Sequence, residues 1–209
     1  MAASRRGFLA SLPAVAIATH TAASGGATSG APPEPWLAAH AGRRHRQLFD
    51  VSVCTKAADP LRRLSNYIDV FAQDYAEPAN QVGAIFGAHG EGLGYILDDA
   101  AWQKFGLSAR FLTREPRTDV NPYRVQLPQS GWASDYSVTA LQKKGVVFIA
   151  CDRSLRRLSR DIAGATPNAA PEILAELRAH VLAGVELVPA MVAAICRAQE
   201  EHVSYIFAG

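Results

Sequence analysis

Residues Gly145 to Cys151 read Gly-Val-Val-Phe-Ile-Ala-Cys, and Asp152-Arg153-Ser154-Leu155 follow at once. A short, unbroken apolar run between turn signals reads as a strand buried on both faces. Leu155 to Ile162 is amphipathic and basic, and Asp152 or Ser154 can cap it as a helix. Cys151 is therefore expected where a buried strand hands over to a helix. In an open parallel sheet ligands bind at that edge. Free backbone N–H groups and the positive end of a helix there can steady a sulfur anion. The plain alternative is an inert, packed cysteine.

Short strands alternate with helices along the rest of the chain. Arg46 to Val53 reads as a first strand, ending at Cys54. Asp59-Pro60 starts a helix, with Asp59 as its cap and Pro60 at the first helical position, whose apolar face is Leu61, Leu64, Ile68 and Phe71. Val82 to Phe86 is a second strand. It runs into Gly87-Ala88-His89-Gly90-Glu91-Gly92, read most simply as a flexible turn, and Asp98 to Phe105 follows as a helix with Trp102 inward. Asp135 to Lys144, Leu155 to Ile162, Glu172 to Leu182 and Met191 to Gln199 carry helical patterns. Val185 to Val188 and Ser204 to Phe207 read as strands. This alternation predicts an α/β, three-layer sandwich with a mostly parallel sheet of about five strands in a single domain. Residues 107–132, with Pro116, Pro122 and Pro128, break the pattern and are expected as an excursion off the core.

The N-terminus has a character of its own. Ser4-Arg5-Arg6-Gly7-Phe8-Leu9 is a twin-arginine export pattern, followed by an apolar stretch to Ala18 and small residues to Ala31. Residues 1–31 are expected to be a signal peptide and 32–45 a proline-bearing linker, with a short docking turn at Trp36 to Ala41. The mature domain, 46–209, is then expected in the periplasm, with no stable membrane span after cleavage, because the apolar run is too short to cross a bilayer. Free thiols tend to oxidise in that compartment.

Composition narrows the function classes. The net charge of +2 over 209 residues is not gathered into one long basic run, so nucleic acid and acidic membrane surfaces are not implied. Arg43, Arg44 and Arg46 form one short basic cluster, and Arg153, Arg156, Arg157 and Arg160 another. Cys54, Cys151 and Cys196 are too few and too scattered for a disulfide framework or a zinc site. The glycine loop lacks the lysine and hydroxyl of a P-loop, and no dinucleotide fingerprint follows the first strand. No cofactor and no metal is expected.

Gly145 to Cys151, then Val188-Pro189-Ala190-Met191-Val192, Ala198-Gln199-Glu200 and Tyr205-Ile206 together resemble the DsrE-like family of sulfur-handling proteins. The resemblance spans roughly Arg46 to Phe207. It implies a compact α/β sandwich, often oligomeric. In the sulfur-relay members, the cysteine closing the central strand carries a persulfide, and Cys151 matches that position. The resemblance also implies a sulfur donor or acceptor protein, or a small sulfur compound, as partner, and allows a homo-oligomer.

Cys54, His89 and Cys151 each follow an expected strand, so all three should lie along one sheet edge and form the candidate catalytic group. His89 can take the Cys151 proton, and Cys54 can resolve an oxidised sulfur into a disulfide. Cys196 falls among apolar helix positions and reads as core. Two functions remain open: a sulfur carrier or sulfurtransferase working through Cys151, and a non-catalytic module that binds a small ligand or a partner in the same crevice. A metal site on His89 and Cys151 lacks further ligands.

Overall fold

The apolar run becomes a strand, β3 (Val147–Cys151), within a five-stranded, all-parallel sheet of order β4-β3-β2-β1-β5. The other strands are β1 (His45–Val51), β2 (Val82–Ala88), β4 (Val185–Val188) and β5 (Ser204–Phe207). The structure, a computed structural model, describes residues 34–55, 57–112, 118–125 and 136–209. The expected signal peptide over 1–31 lies outside the described residues, as do Pro116, Pro128, Trp132 and Asp135.

The helices are α1 (Pro35–Ala38), α2 (Asp59–Gln73), α3 (Asp99–Phe105), α4 (Leu107–Phe111), α5 (Val138–Lys143), α6 (Asp152–Ala163), α7 (Ala170–Ala179) and α8 (Met191–Glu200). From β1 to β4 the chain steps one way across the sheet, and its helices α2 to α7 pack on one face. Their side chains join Phe49, Val51, Phe86, Ala88, Phe148 and Ala150 in the larger core. From β4 to β5 it returns the other way, and α8 crosses the opposite face. Met191, Ala194 and Ala198 there meet Leu48, Ile85, Ile149 and Cys151. Right-handed crossovers require this swap of faces when the direction of travel reverses. The three-layer α/β architecture expected from the pattern is the one observed, with unequal outer layers.

The expected docking turn at Trp36 to Ala41 contains α1, which places buried Trp36 and Leu37 in the smaller core under α8. Much of the stretch expected as a linker is thus packed. The start of β2 extends past β3, which first pairs at Ile85. Carbonyls at that end need other donors. His40 Nε2 lies 3.0 Å from the Ala84 carbonyl, and Arg43 donates to the Val82 carbonyl.

Four local expectations are corrected. Asp59 is the first helical residue of α2, not its cap. Ala58 holds that position in a left-handed conformation, and the Thr55 hydroxyl accepts the Asp59 N–H at 3.0 Å. Cys151, not Asp152 or Ser154, occupies the cap position of α6, without a side-chain hydrogen bond. Cys196 is exposed and lies 3.5 Å from the Glu200 carboxylate, because it falls on the outer side of α8. The glycine loop is a packed 3-10 turn, Gly90–Tyr95, rather than a loose one. A β-carbon on Gly92 would lie only 2.3 Å from the Val51 carbonyl oxygen, so glycine lets this turn settle on the end of β1.

The excursion is not wholly off the core. Leu107 opens α4, and Asn121 and Tyr123 are buried against the larger core. Asn121 Nδ2 donates to the carbonyls of Tyr95 (3.2 Å) and Leu97 (2.7 Å), and its Oδ1 accepts the N–H groups of Tyr123 and Arg124. One amide side chain therefore fastens the excursion to the segment after β2. Replacing it with alanine strands several buried backbone groups. Asn121→Ala should cost about 2 to 3 kcal/mol in urea unfolding, and an unchanged midpoint would show that the excursion is held elsewhere.

Candidate functional site

Successive residues of a strand point to opposite faces. Phe49 and Val51 of β1 enter the larger core, and Leu48 enters the smaller one. Asp50, between them in sequence, therefore points to the α8 side. It is a carboxylate only 6% exposed. A charge so placed needs partners. Tyr205 on β5 donates its hydroxyl to Asp50 Oδ2 at 3.0 Å. His89, just past β2, brings Nε2 to 2.8 Å from Asp50 Oδ1. The two atoms lie close without the alignment of a hydrogen bond, and both are enclosed and have no hydrogen-bond partner among the described residues. The backbone N–H of His89 donates to the Val51 carbonyl, which seats the residue against the end of β1.

The expected site residues separate. Cys151 ends β3 on the α8 face, packed with Trp36, Val188 and Met191, and is 5% exposed. Its sulfur accepts the N–H of Met191, the first residue of α8, at 3.4 Å. Cys54 lies on the other side. Its sulfur packs so closely on Gly94 that a β-carbon there would sit 2.6 Å away, and it donates to the Glu91 carbonyl at 3.1 Å. The residue keeps partial exposure, yet the sulfur is packed on Gly94, and its burial pushes the thiol well above its ordinary range. Both cysteines are free thiols in different cores. The fold brings His89 and Cys151 to one face and one edge, and places Cys54 against the other core.

An open cleft of about 570 Å³ lies at the carboxyl ends of β1 and β2, between α4 and α6. Ser52, His89, Glu91, Arg110, Ser154 and Arg157 are among its walls. Arg110 has no ion pair among the described residues, and Arg157 has only Asp161, at 4.0 Å. Ser154 accepts the Gly90 N–H at 3.1 Å, which leaves its own O–H free to donate. Cationic donors beside a histidine suit a ligand with an anionic end. Glu91 and Asp161 on the same walls favour a ligand whose other end carries hydroxyl or amine groups.

Sequence reading missed Asp50, Tyr205 and Arg110. A lone acid inside the apolar run Leu48 to Val53 was the available signal for Asp50. Arg110 was hidden in the excursion. The basic cluster on α6 is divided by the helix: Arg157 faces the cleft, whereas Arg153, Arg156 and Arg160 line a separate groove of about 380 Å³ beside Pro189. Asp152 ties this helix to α7 by accepting both Nε and Nη2 of Arg178, and it also accepts Nε of Arg156. Burial acts to raise its carboxyl, but the arginine hydrogen bonds hold it below the ordinary carboxylate range.

Among the described residues no group of three or more His, Cys, Asp or Glu side chains is arranged to hold a metal ion, and no helix is long and apolar enough to cross a membrane. No protein-family model matches the chain, and no curated protein matches it. Among solved structures it is similar to a protein of unknown function, MTH1491 from Methanobacterium thermoautotrophicum. The two are 19% identical, the match covers 78% of this chain and 98% of that one, and the TM-score is 0.43.

Two outcomes are expected from this geometry. In the native protein a thiol reagent should label Cys196 quickly and leave Cys54 and Cys151 until unfolding, and Cys196→Ser should remove the fast phase. Fast labelling that survives this substitution would mean that a second sulfur is open. Asp152→Asn should lower stability at neutral pH by about 0.5 to 1 kcal/mol. Because the folded carboxyl is held low, its contribution is complete above the ordinary value of about 4 and is lost as the pH falls through the lower folded value. The variant and the parent chain should therefore converge in thermal midpoint in strong acid.

Proposed function

We propose that this chain is a small-ligand-binding α/β module that holds the anionic end of a polar molecule in the cleft at the carboxyl edge of the sheet. The observation that carries this reading is Arg110, which has no ion pair among the described residues and lines an open cleft together with Arg157, His89 and Ser154. A parallel sheet offers its crevice at this edge, and charge-assisted hydrogen bonds from arginine give the strongest neutral-pH recognition of an oxyanion. The resemblance to DsrE-like proteins makes small sulfur compounds the first ligands to try. The twin-arginine leader pattern supports work in the periplasm.

A second reading, sulfur carriage by Cys151, is favoured by one observation. The Met191 N–H reaches the Cys151 sulfur and would hold a sulfur anion there. Against it stands the enclosure of that sulfur among apolar side chains. Incubation with a sulfane donor separates the two readings: a gain of one sulfur in intact mass, lost in Cys151→Ser, would favour the carrier.

Calorimetric titration with phosphate, sulfate, sulfite and thiosulfate tests the binding reading. At least one should bind, and Arg110→Ala and Arg157→Ala should each weaken it by about 10- to 100-fold, as expected for a charge-assisted hydrogen bond. Failure of all four to bind, or binding indifferent to both substitutions, would remove the proposal.

A further inference from the structure

The Asp50 carboxylate belongs to none of the cleft's walls, yet it is the most deeply placed charge at this edge of the sheet. Tyr205 saturates one oxygen from β5. The other oxygen is enclosed and has one possible donor beside it, His89 Nε2 at 2.8 Å. A buried carboxylate oxygen without a donor is strongly unfavourable. When the imidazole is neutral, its proton therefore belongs on Nε2, beside Oδ1. In a neutral imidazole the other nitrogen is then an acceptor. The Nε2 corner is enclosed, while the side chain as a whole keeps 30% exposure. The exposed part of the ring is thus elsewhere, and His89 lines the cleft.

We propose that Asp50 and Tyr205 are positioning residues for His89, and that together they make it a specificity-determining hydrogen-bond acceptor. In that tautomer Nδ1 carries the lone pair that His89, as a wall of the cleft, offers to a ligand. The arginines supply donors, so they attract any oxyanion. The imidazole accepts only from an oxyanion that still carries a proton. The cleft accordingly takes a hydrogen-bearing oxyanion group, of which monohydrogen phosphate is the simplest, and discriminates against sulfate, which has the same shape and no proton at neutral pH. Sites built to pair with a substrate O–H reject the analogue lacking it far more strongly than apolar pockets reject a missing methylene. This inference rests on the binding reading above and names its ligand class.

Two measurements on the full domain test it separately. The first is ¹⁵N NMR of the imidazole nitrogens without ligand, with the His89 signals assigned by their loss in His89→Gln. The parent chain should show the Nε2–H tautomer. Asp50→Asn should shift the signals toward a mixture of tautomers, and Tyr205→Phe should do so to a smaller degree. An Nδ1–H tautomer in the parent chain would overturn the positioning role, whatever binds in the cleft. The second is calorimetric titration with inorganic phosphate and with sulfate at pH 7.5. Phosphate should bind at least tenfold more tightly, and His89→Ala should erase the difference while both anions still depend on Arg110. Equal binding of the two anions with the arginine dependence intact would overturn the specificity claim and leave the binding reading standing. Binding of neither anion would remove both. Should Asp50→Asn fail to fold, Tyr205→Phe, whose hydroxyl is at the exposed edge strand, carries the same comparison.

Discussion

Burial on both faces of β1, β2 and β3 is the constraint on which the rest of the molecule depends. A strand covered on two sides has no neutral position, because each residue must enter one core or the other. The seven residues of β2 are all buried, and those of β3 nearly so. This fixes the parity of whatever follows each strand at the carboxyl edge. His89 and Cys151 emerge toward α8, and the chain beyond Val51 turns under Gly94 to the other side. The chemistry at this edge is settled by counting along strands before any ligand is considered.

The same parity explains why a carboxylate is buried at Asp50. The outer layer on the α8 side is thin, with one long helix and the single turn of α1. A carboxylate in a thin layer at the end of a strand remains near the surface, where an edge-strand phenol and a loop imidazole can both reach it. The same residue one position earlier would replace Phe49 and give up its edge-on contact with Tyr67 in the larger core. Substituting a hydrophobic residue at Asp50 would fill the space, but it would take away the carboxylate beside the His89 ring and the acceptor of the Tyr205 hydroxyl.

Much of this fold was legible in the sequence because its signals are local. Apolar runs of four to seven residues separated by amphipathic stretches specify buried parallel strands and covering helices, and the order of elements then leaves few topologies. The site was legible only in part. Position along the chain located the carboxyl edge, so the placement of His89 and Cys151 at that edge was legible. It could not tell on which side a residue beyond the strand end would fall, and Cys54 was grouped with them for that reason. Asp50 was passed over because an acid within a strand reads as an outward-facing position when only alternation is considered. Asn121 and Arg110 sit in a segment without periodicity, where tertiary contacts alone decide which side chains turn inward.

Access separates the sulfur from the cleft as candidate centres of function. A group that exchanges atoms with a partner must be reachable along a line of approach, and Cys151 is closed by Trp36, Val188 and Met191. Opening it means lifting the first turn of α8 and giving up the Met191 hydrogen bond, which is the one feature that recommends the sulfur. Approach and stabilisation are therefore opposed at Cys151. In the cleft they coincide, because Arg110, Arg157 and Ser154 line an open space as they stand, and the buried Asp50 carboxylate lies behind the imidazole instead of in front of it.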